Sequence, residues 1–286
     1  MIDMHLHTYY SDGTMSPTEI VKRAADRGVK TIAITDHDGL NGIEEALEAG
    51  KRYGIKVIPG IELSANLFID ELGLNSEYSF NVINMHILGY EIDISDADLK
   101  EAVGKMRERR EDRNRRLLSA LNDIGLDIDE EDLIQRSGQD YIGKPNFAFA
   151  LVNKGYIESI KEASTPGKFL RHPKARQVYR EKIHVREAIE LIKNAGGYSV
   201  LAHPMKVIFP EPLNTDKFQS LELLLNRLVK WGLSGMECYY STHTKEQTSL
   251  LVGMAKNREI KITAGSDFHG PDFDPGIDIG VTGLSE

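Results

Sequence analysis

Short clusters of histidine and carboxylate residues recur from the start of this 286-residue chain almost to its end. Six of the nine histidines belong to these clusters. Imidazole and carboxylate groups together bind divalent transition metals, and so many ionisable groups are costly to bury unless their charge is compensated. We therefore expect the fold to bring distant segments together around a metal site. The candidate ligands are His5, His7, Asp12, His37, Glu62, His86, His203, Asp267 and His269.

Strand-like and helix-like segments alternate along most of the chain. Residues 2–7 alternate between apolar and polar, which is the period of a strand and places His5 and His7 on one face. Ser16-Pro17-Thr18-Glu19 is typical of a helix start. The alternation predicts an α/β parallel sheet or barrel, with the candidate ligands mostly at the carboxyl ends of strands. Further strands are expected at residues 31–35, 57–64, 82–90, 199–202, 235–239 and 260–264, and helices at 16–28, 42–53, 185–194, 218–231 and 245–257.

The alternation stops between residues 96 and 182. Residues 96–124 have the pattern of one long helix, and polar and short helical segments follow it. We interpret residues 96–182 as a mostly helical insertion domain between two parts of one barrel, residues 1–95 and 183–286. Such an insertion would cover the mouth of the site as a lid.

Composition narrows the class of protein. The net charge of −9 argues against binding of duplex nucleic acid by general electrostatics. No apolar run is long enough to span a bilayer, and the first residues have the pattern of a strand rather than a signal peptide. A single cysteine, Cys238, in an apolar segment predicts a buried thiol and a reducing, cytoplasmic location. The sequence makes no prediction of oligomeric state.

The charge of the candidate site predicts the charge of its substrate. Three carboxylates contribute −3, and two or three divalent ions would contribute +4 or +6, so the loaded site would be cationic. An anionic substrate, with phosphate esters as the obvious class, is therefore favoured. The mixed set of nitrogen and oxygen ligands suits zinc, manganese or iron and does not choose among them.

Two features allow two interpretations each. Asp36 and Asp38 flank His37, where they would either orient its imidazole or serve turn and cap chemistry. The arginine-rich stretch at residues 106–116 would be either a nucleic-acid-binding helix or an exposed helix whose opposite charges pair at helical spacing, such as Arg107 with Glu111. The interleaved acids and the lack of nearby aromatic residues favour the exposed helix.

The clusters, taken in order, resemble the motifs of the PHP (polymerase and histidinol phosphatase) superfamily. The position of the insertion is similar to that in the branch of nucleoside 3′,5′-bisphosphate phosphatases and 5′-to-3′ exoribonucleases. This resemblance implies a distorted, TIM-like (β/α)7 barrel rather than the regular form of eight strands. The motifs that carry it are His5-Leu6-His7, Ser11-Asp12-Gly13-Thr14, Thr35-Asp36-His37-Asp38, Gly60-Ile61-Glu62, His86-Ile87-Leu88-Gly89-Tyr90, Leu201-Ala202-His203-Pro204 and Gly265-Ser266-Asp267-Phe268-His269-Gly270.

The resemblance also implies a trinuclear metal site. Glu62 would bridge two of the three ions. The first ion would be held by His5, His7, Glu62 and Asp267, the second by Glu62, His86 and His203, and the third by Asp12, His37 and His269.

The predicted activity is that of a metal-dependent phosphoesterase. A hydroxide bridging two ions would attack a small organic phosphate, with a nucleotide or an oligonucleotide end as the first candidate. Glu62, Asp267 and His203 are the predicted catalytic residues. Two alternatives stay open, an amidohydrolase-type C–N hydrolase and a regulatory metal-binding module without turnover.

One segment departs from the family pattern. The branch often has Gly-Arg-Pro-His-x-Ala-Arg in the insertion, where this chain has Gly143-Lys144-Pro145-Asn146-Phe147-Ala148-Phe149. Lysine is a point charge and cannot form the two-pronged contact that arginine makes with phosphate. The basic loop at residues 166–180 would compensate or would be a solvated surface loop. The predicted substrate-binding residues are Lys144, His172 and Arg176.

Overall fold

A computed structural model describes residues 1–73, 82–134, 141–211, 213–271, 273 and 275–280. The strands are β1 (Ile2–Leu6), β2 (Thr31–Ile34), β3 (Lys56–Phe68), β4 (Val82–Tyr90), β5 (Ile183–His184), β6 (Tyr198–Leu201), β7 (Gly235–Tyr240) and β8 (Lys261–Gly265). The α-helices are α1 (Pro17–Asp26), α2 (Ile43–Tyr53), α3 (Ala97–Asn122), α4 (Lys144–Asn153), α5 (Pro173–Arg176), α6 (Val185–Asn194), α7 (Lys217–Lys230) and α8 (Lys245–Lys256). Five short 3-10 turns lie at Ile69–Leu72, Glu131–Leu133, Ile160–Ser164, Phe169–Arg171 and Pro204–Lys206.

Seven strands form a nearly closed barrel in the order β1, β2, β3, β4, β6, β7 and β8. The two ends of this order meet, because Leu6 of β1 forms a parallel bridge with Phe268, just after β8. The two-residue β5 pairs with the far end of β3. The distorted seven-stranded barrel expected from the sequence is confirmed.

One strand departs from the parallel arrangement. β4 runs antiparallel to both of its neighbours, β3 and β6, while the other neighbouring strands of the barrel order pair in parallel. β3 and β4 follow each other without a crossover helix in the described residues between them, so the chain returns in the opposite direction. The ligand candidate on β4, His86, therefore projects from the middle of a strand and not from its carboxyl end.

Local sequence signals set the element boundaries. Ser16 accepts a hydrogen bond from the backbone N–H of Glu19 at 3.1 Å, and the Glu19 carboxylate accepts one from the N–H of Ser16 at 2.7 Å. This is the capping box that the sequence predicts. Gly54 ends α2 with a φ of 69°, a left-handed conformation that a residue without a Cβ adopts readily.

The hydrophobic core lies in separate layers. A small cluster contributed by strand residues and Ala202 fills the barrel interior below the histidines. Two larger clusters pack the helices α1 and α2, and α6, α7 and α8, against the outside of the sheet. Cys238 lies in one of them and is fully buried, as expected. Burial raises the pKa of its thiol to about 12.

The described residues between 117 and 178 have a hydrophobic cluster of their own, which includes Phe147 of α4 and Leu121 of α3. The helical content of this region follows the sequence pattern, whereas the division into an insertion domain at residues 96–182 stays a prediction. Among the described residues, no helix is long and apolar enough to cross a membrane.

Candidate metal centre

Four side chains from three segments point one atom each at a common centre. Nε2 of His5 and Nε2 of His7 lie 3.1 Å apart. Each nitrogen lies 3.3 Å from Oε2 of Glu62, and Oδ1 of Asp267 lies 3.3 Å from the first and 3.2 Å from the second. A tetrahedron of ligands around zinc at about 2.0 Å has edges of about 3.3 Å, so the spacing fits a metal ion.

Glu62 lies at the junction of the candidate ligands and is fully buried. Besides His5 and His7, its carboxylate lies 2.8 Å from Nδ1 of His37 and 3.0 Å from both Nδ1 of His86 and Nε2 of His203. Within the described part of the chain, neither Oε2 of Glu62 nor Nδ1 of His37 has a hydrogen-bond partner, although the two atoms are close. Two buried donor atoms that lie this close without a hydrogen bond fit a shared cation, which the donor chemistry also favours.

A second group of four lies around the loop after β1. Oδ1 of Asp12 lies 3.2 Å from Nε2 of His269 and 3.9 Å from Nδ1 of His7, and Oδ2 of Asp12 lies 3.7 Å from Nε2 of His37. One donor atom from each of these four residues falls within 4.8 Å of the others, as it does for the group of His5, His7, Glu62 and Asp267.

The third group differs in membership from the expected one. It joins His37 and His86 to Glu62, where the family resemblance implied His86 and His203. His203 lies outside this group of three, although its Nε2 contacts Oε1 of Glu62. The fold thus brings all nine predicted ligands to one place, with His37 shared between two groups.

Burial and charge determine the protonation of the site. Burial opposes ionisation of Glu62, but the charges of His37 and His5 hold the pKa of its carboxyl well below the usual range. Burial lowers the pKa of His86 to about 4, so its imidazole is neutral near pH 7. Burial opposes protonation of His5 and His37, but the surrounding carboxylates, Glu237 and Glu62 first, raise the pKa of both imidazoles. Metal ligation requires neutral imidazoles, so binding of an ion at these two residues would release their protons.

Two ligand candidates have unusual backbone conformations. His203 has a φ of 25° and Asp267 a φ of 58°, both in the left-handed region that residues with a Cβ rarely adopt. Each follows directly or closely on a barrel strand, β6 or β8. Strain of this kind persists where the surrounding structure holds it, and it concentrates at functional sites.

Three residues that the sequence analysis missed support the ligands. Glu237 of β7 lies with Oε1 2.9 Å from Nδ1 of His5. The Tyr240 hydroxyl donates to Oδ2 of Asp267 at 2.7 Å, and the Lys206 ammonium donates to the same oxygen at 3.1 Å. The signal for Glu237 was an acidic residue inside an otherwise apolar strand.

Asp36 and Asp38 do not orient the imidazole of His37 through any hydrogen bond among the described residues. Asp36 accepts from the backbone N–H and the hydroxyl of Thr8, at 2.7 Å each, and from the hydroxyl of Ser11. It therefore fixes the loop that carries Asp12, which is the turn chemistry considered from the sequence.

Arg110, Arg113 and Arg180 form a cationic cluster, in which Asp38 is the counter-ion of Arg110 and Arg180. Its Oδ2 accepts from the guanidinium of Arg110 and, at 3.0 Å, from that of Arg180. Burial opposes ionisation, but the Arg110 and Arg180 charges hold the pKa of Asp38 well below its usual range. Nε of Arg113 has no hydrogen-bond partner in the described chain, and burial together with the Arg180 charge lowers the pKa of Arg113 to about 10.

The prediction that residues 106–116 form a merely exposed helix was therefore wrong in part. Arg107 pairs with Glu111 at 3.1 Å on the surface, as the spacing predicted. Arg110 and Arg113, by contrast, are only 4% and 6% exposed. The guanidinium of Arg110 reaches Asp38, so α3 carries an outer face of paired charges and an inner face of buried arginines.

The three predicted substrate-binding residues have different environments. Lys144 is exposed at the start of α4, and desolvation, followed by the charges of Arg113 and Arg171, lowers the pKa of its ammonium group. His172 caps the short α5 by accepting from the N–H of Lys174 at 3.3 Å. Arg176 is exposed in α5, and no described contact links it or His172 to the candidate ligands. The basic loop thus contributes Arg180 to the cationic cluster instead.

A cavity of about 890 Å³ opens over the candidate ligands. Its floor includes five of them, His37, His86, His203, Asp267 and His269. Lys206 and Lys182 also line it. Burial, followed by the Arg180 charge, lowers the pKa of Lys182 to about 8.

Comparison with known proteins finds one matching family and relatives that span nearly the whole chain. Residues 3–232 match the PHP domain family. The chain is 30% identical over 269 residues to a 5′-3′ exoribonuclease of Haemophilus influenzae, covering 94% of this chain and 90% of that one. It is 28% identical over 282 residues to a 3′,5′-nucleoside bisphosphate phosphatase of Chromobacterium violaceum, covering 98% and 91%.

A solved structure has the same fold over nearly the whole length. It is described as an amidohydrolase from Chromobacterium violaceum with bound sulfate and no metal. The TM-score is 0.82 at 27% sequence identity, and the match covers 99% of this chain and 92% of that one.

Proposed function

This chain belongs to the PHP domain family, and on that premise we propose that it is a metal-dependent phosphoesterase acting on a nucleotide or an oligonucleotide end. The observation that carries the proposal is the convergence of eight imidazole and carboxylate side chains into three overlapping groups, with a ninth, His203, in contact with Glu62. Relatives that span nearly the whole chain are an exoribonuclease and a nucleoside bisphosphate phosphatase, which indicates the substrate class.

In this proposal two to three divalent ions, zinc, manganese or iron, bind to the nine residues. His5, His7, Glu62 and Asp267 would hold one, Glu62 with His86 and His203 a second, and Asp12, His37 and His269 a third. When bound, such ions neutralise charge on a phosphate ester and activate water as the nucleophile. The contacts of Glu62 with five imidazoles support its role as the bridging ligand.

The chain's own residues orient the ligands and attract the substrate. Glu237 holds the His5 ring so that Nε2 faces the ligand centre. Tyr240 and Lys206 hold Oδ2 of Asp267, which leaves Oδ1 facing the imidazoles of His5 and His7. Arg110 and Arg180 share the single carboxylate of Asp38, and Arg113 lies near both arginines. Their surplus positive charge, together with Lys182 in the cavity, favours an anionic substrate.

The test is a substrate panel with purified protein and added Mn²⁺ or Zn²⁺. It contains p-nitrophenyl phosphate, nucleoside mono- and bisphosphates, short oligoribonucleotides with a 5′-phosphate, and simple amides. We expect release of phosphate or nucleotides that depends on the ion and is lost with a chelator. Turnover of amides alone would favour the C–N hydrolase alternative, and metal-loaded protein inert to the whole panel would favour a regulatory module.

A further inference from the structure

The cavity above the candidate ligands is larger than a phosphate group requires. Its volume of about 890 Å³ lies in the range that holds a whole drug-sized ligand. A phosphate over the ligand floor would occupy only its deepest part. The remainder of the cavity has room for the organic part of the ester.

Five apolar residues contribute a wall to the cavity. The segment after β6 contributes Val207, Ile208 and Pro210, and the segment after β8 contributes Phe273 and Ile277. Ile208 is 79% exposed. Large apolar side chains that remain exposed beside a polar site mark a surface that contacts a ligand.

Phe273 connects this wall to the candidate metal site. Its ring stacks on the imidazole of His269, with centroids 4.8 Å apart and planes 22° from parallel. The ring therefore lies one stacking distance from a ligand candidate and still borders the cavity. A planar group attached to a phosphate on the floor would meet an aromatic ring here.

We infer, on the basis of the proposed function, that Phe273 and the apolar wall bind the nucleobase of the substrate while its phosphate lies over the imidazoles. Stacking of a base on an aromatic side chain contributes about 1–3 kcal/mol and is tolerant of base identity. This contact selects nucleotides over aliphatic phosphate esters without reading a sequence. Phe273 is thus a specificity-determining residue.

The test separates binding of the base from binding of the phosphate. Calorimetry measures the affinity of adenosine and of inorganic phosphate for wild type and for Phe273→Ala, and kinetics compare adenosine monophosphate with glycerol phosphate. We expect Phe273→Ala to weaken adenosine binding more than phosphate binding, and to lower kcat/KM for the nucleotide on the order of tenfold more than kcat/KM for glycerol phosphate. Phe273→Tyr should retain adenosine binding.

Phe68→Ala is the matched control, because Phe68 is 47% exposed and does not belong to the cavity lining. Equal losses for both esters, or adenosine affinity unchanged in Phe273→Ala, would overturn the inference. Adenosine binding that depends on Phe273 in a protein that hydrolyses no ester would sustain the base site and reject the proposed phosphoesterase. Ester hydrolysis with no binding of adenosine would sustain the proposed phosphoesterase and reject the base site.

Discussion

Oε1 of Glu237 lies 2.9 Å from Nδ1 of His5, and both side chains are fully buried. The other oxygen of Glu237 accepts a hydrogen bond from the backbone N–H of His203 at 2.7 Å. One carboxylate therefore orients two candidate ligands that lie far apart in sequence. Gly265 makes room for it, since a Cβ at that position would lie 2.3 Å from Oε1 of Glu237.

We predict that Glu237→Gln weakens metal binding. Loss of the charged acceptor removes the preference for the His5 tautomer whose Nε2 is free, and changes of this kind cost about 10–100-fold in metal affinity. Equilibrium dialysis with Zn²⁺ measures the effect, and Glu48→Gln, an exposed carboxylate on α2, is the control. Unchanged affinity would show that Glu237 does not position a ligand.

We predict that Glu62→Gln abolishes turnover and lowers the metal content. The Glu62 carboxylate contacts five imidazoles and contributes negative charge that a bound cation needs, whereas an amide contributes none. At least the ion sites that include Glu62 should therefore be lost. Mass spectrometry measures the metal content, and an assay of phosphate release measures turnover. Full activity in this variant would contradict the ligand assignment.

We predict that Asp38→Asn destabilises the fold by about 3 kcal/mol, because it leaves the buried guanidinium of Arg110 without its counter-charge. Urea unfolding measures the change. The arginines hold the pKa of Asp38 below its usual range, so its contribution is present above about pH 4 and is lost as the pH falls through the folded-state pKa. In Asp38→Asn the free energy of unfolding should therefore fall less at low pH than in the wild type. The same fall in both proteins would refute this contribution of Asp38.

We predict that Arg113→Met stabilises the ligand-free protein and impairs binding of phosphate esters. Arg113 is buried with an unpaired Nε, and an apolar side chain of similar length removes that desolvation cost, on the order of 1 kcal/mol. Thermal unfolding should shift upward while KM for a nucleotide rises. A variant that loses stability instead would indicate that Arg113 serves the packing of α3.

We predict that substrate affinity falls above pH 8. Burial and the Arg180 charge lower the pKa of Lys182 to about 8, so its positive charge in the cavity is lost as the pH rises past that value. The kcat/KM profile should therefore decline on the alkaline side, and Lys182→Met should flatten that decline.

The same shift has a defined effect on stability. Between pH 8 and about 10.4 the unfolded chain binds a proton at Lys182 that the folded chain does not. The free energy of unfolding contributed by Lys182 therefore rises with pH across this window. Lys182→Met should lack this rise. A free energy of unfolding that falls with pH in the wild type across this window, but not in Lys182→Met, would contradict the lowered pKa.

Sequence alone identified the candidate ligands and the alternating architecture, because both depend on local properties. Side-chain chemistry marks His5, His7 and Glu62, and the periods of strands and helices are visible within a few residues. The capping box at Ser16 is also local, and its prediction was confirmed.

Only the tertiary structure decided the supporting contacts. His5 and Glu237 are separated by 232 residues, and Asp38 and Arg110 by 72. Nothing local distinguishes Arg113, which is buried, from Arg107, which is exposed, although both lie on α3. The antiparallel direction of β4, which turns His86 toward Glu62, likewise depends on which strands pair. Such features arise from packing between distant segments, which a pattern along the chain does not encode.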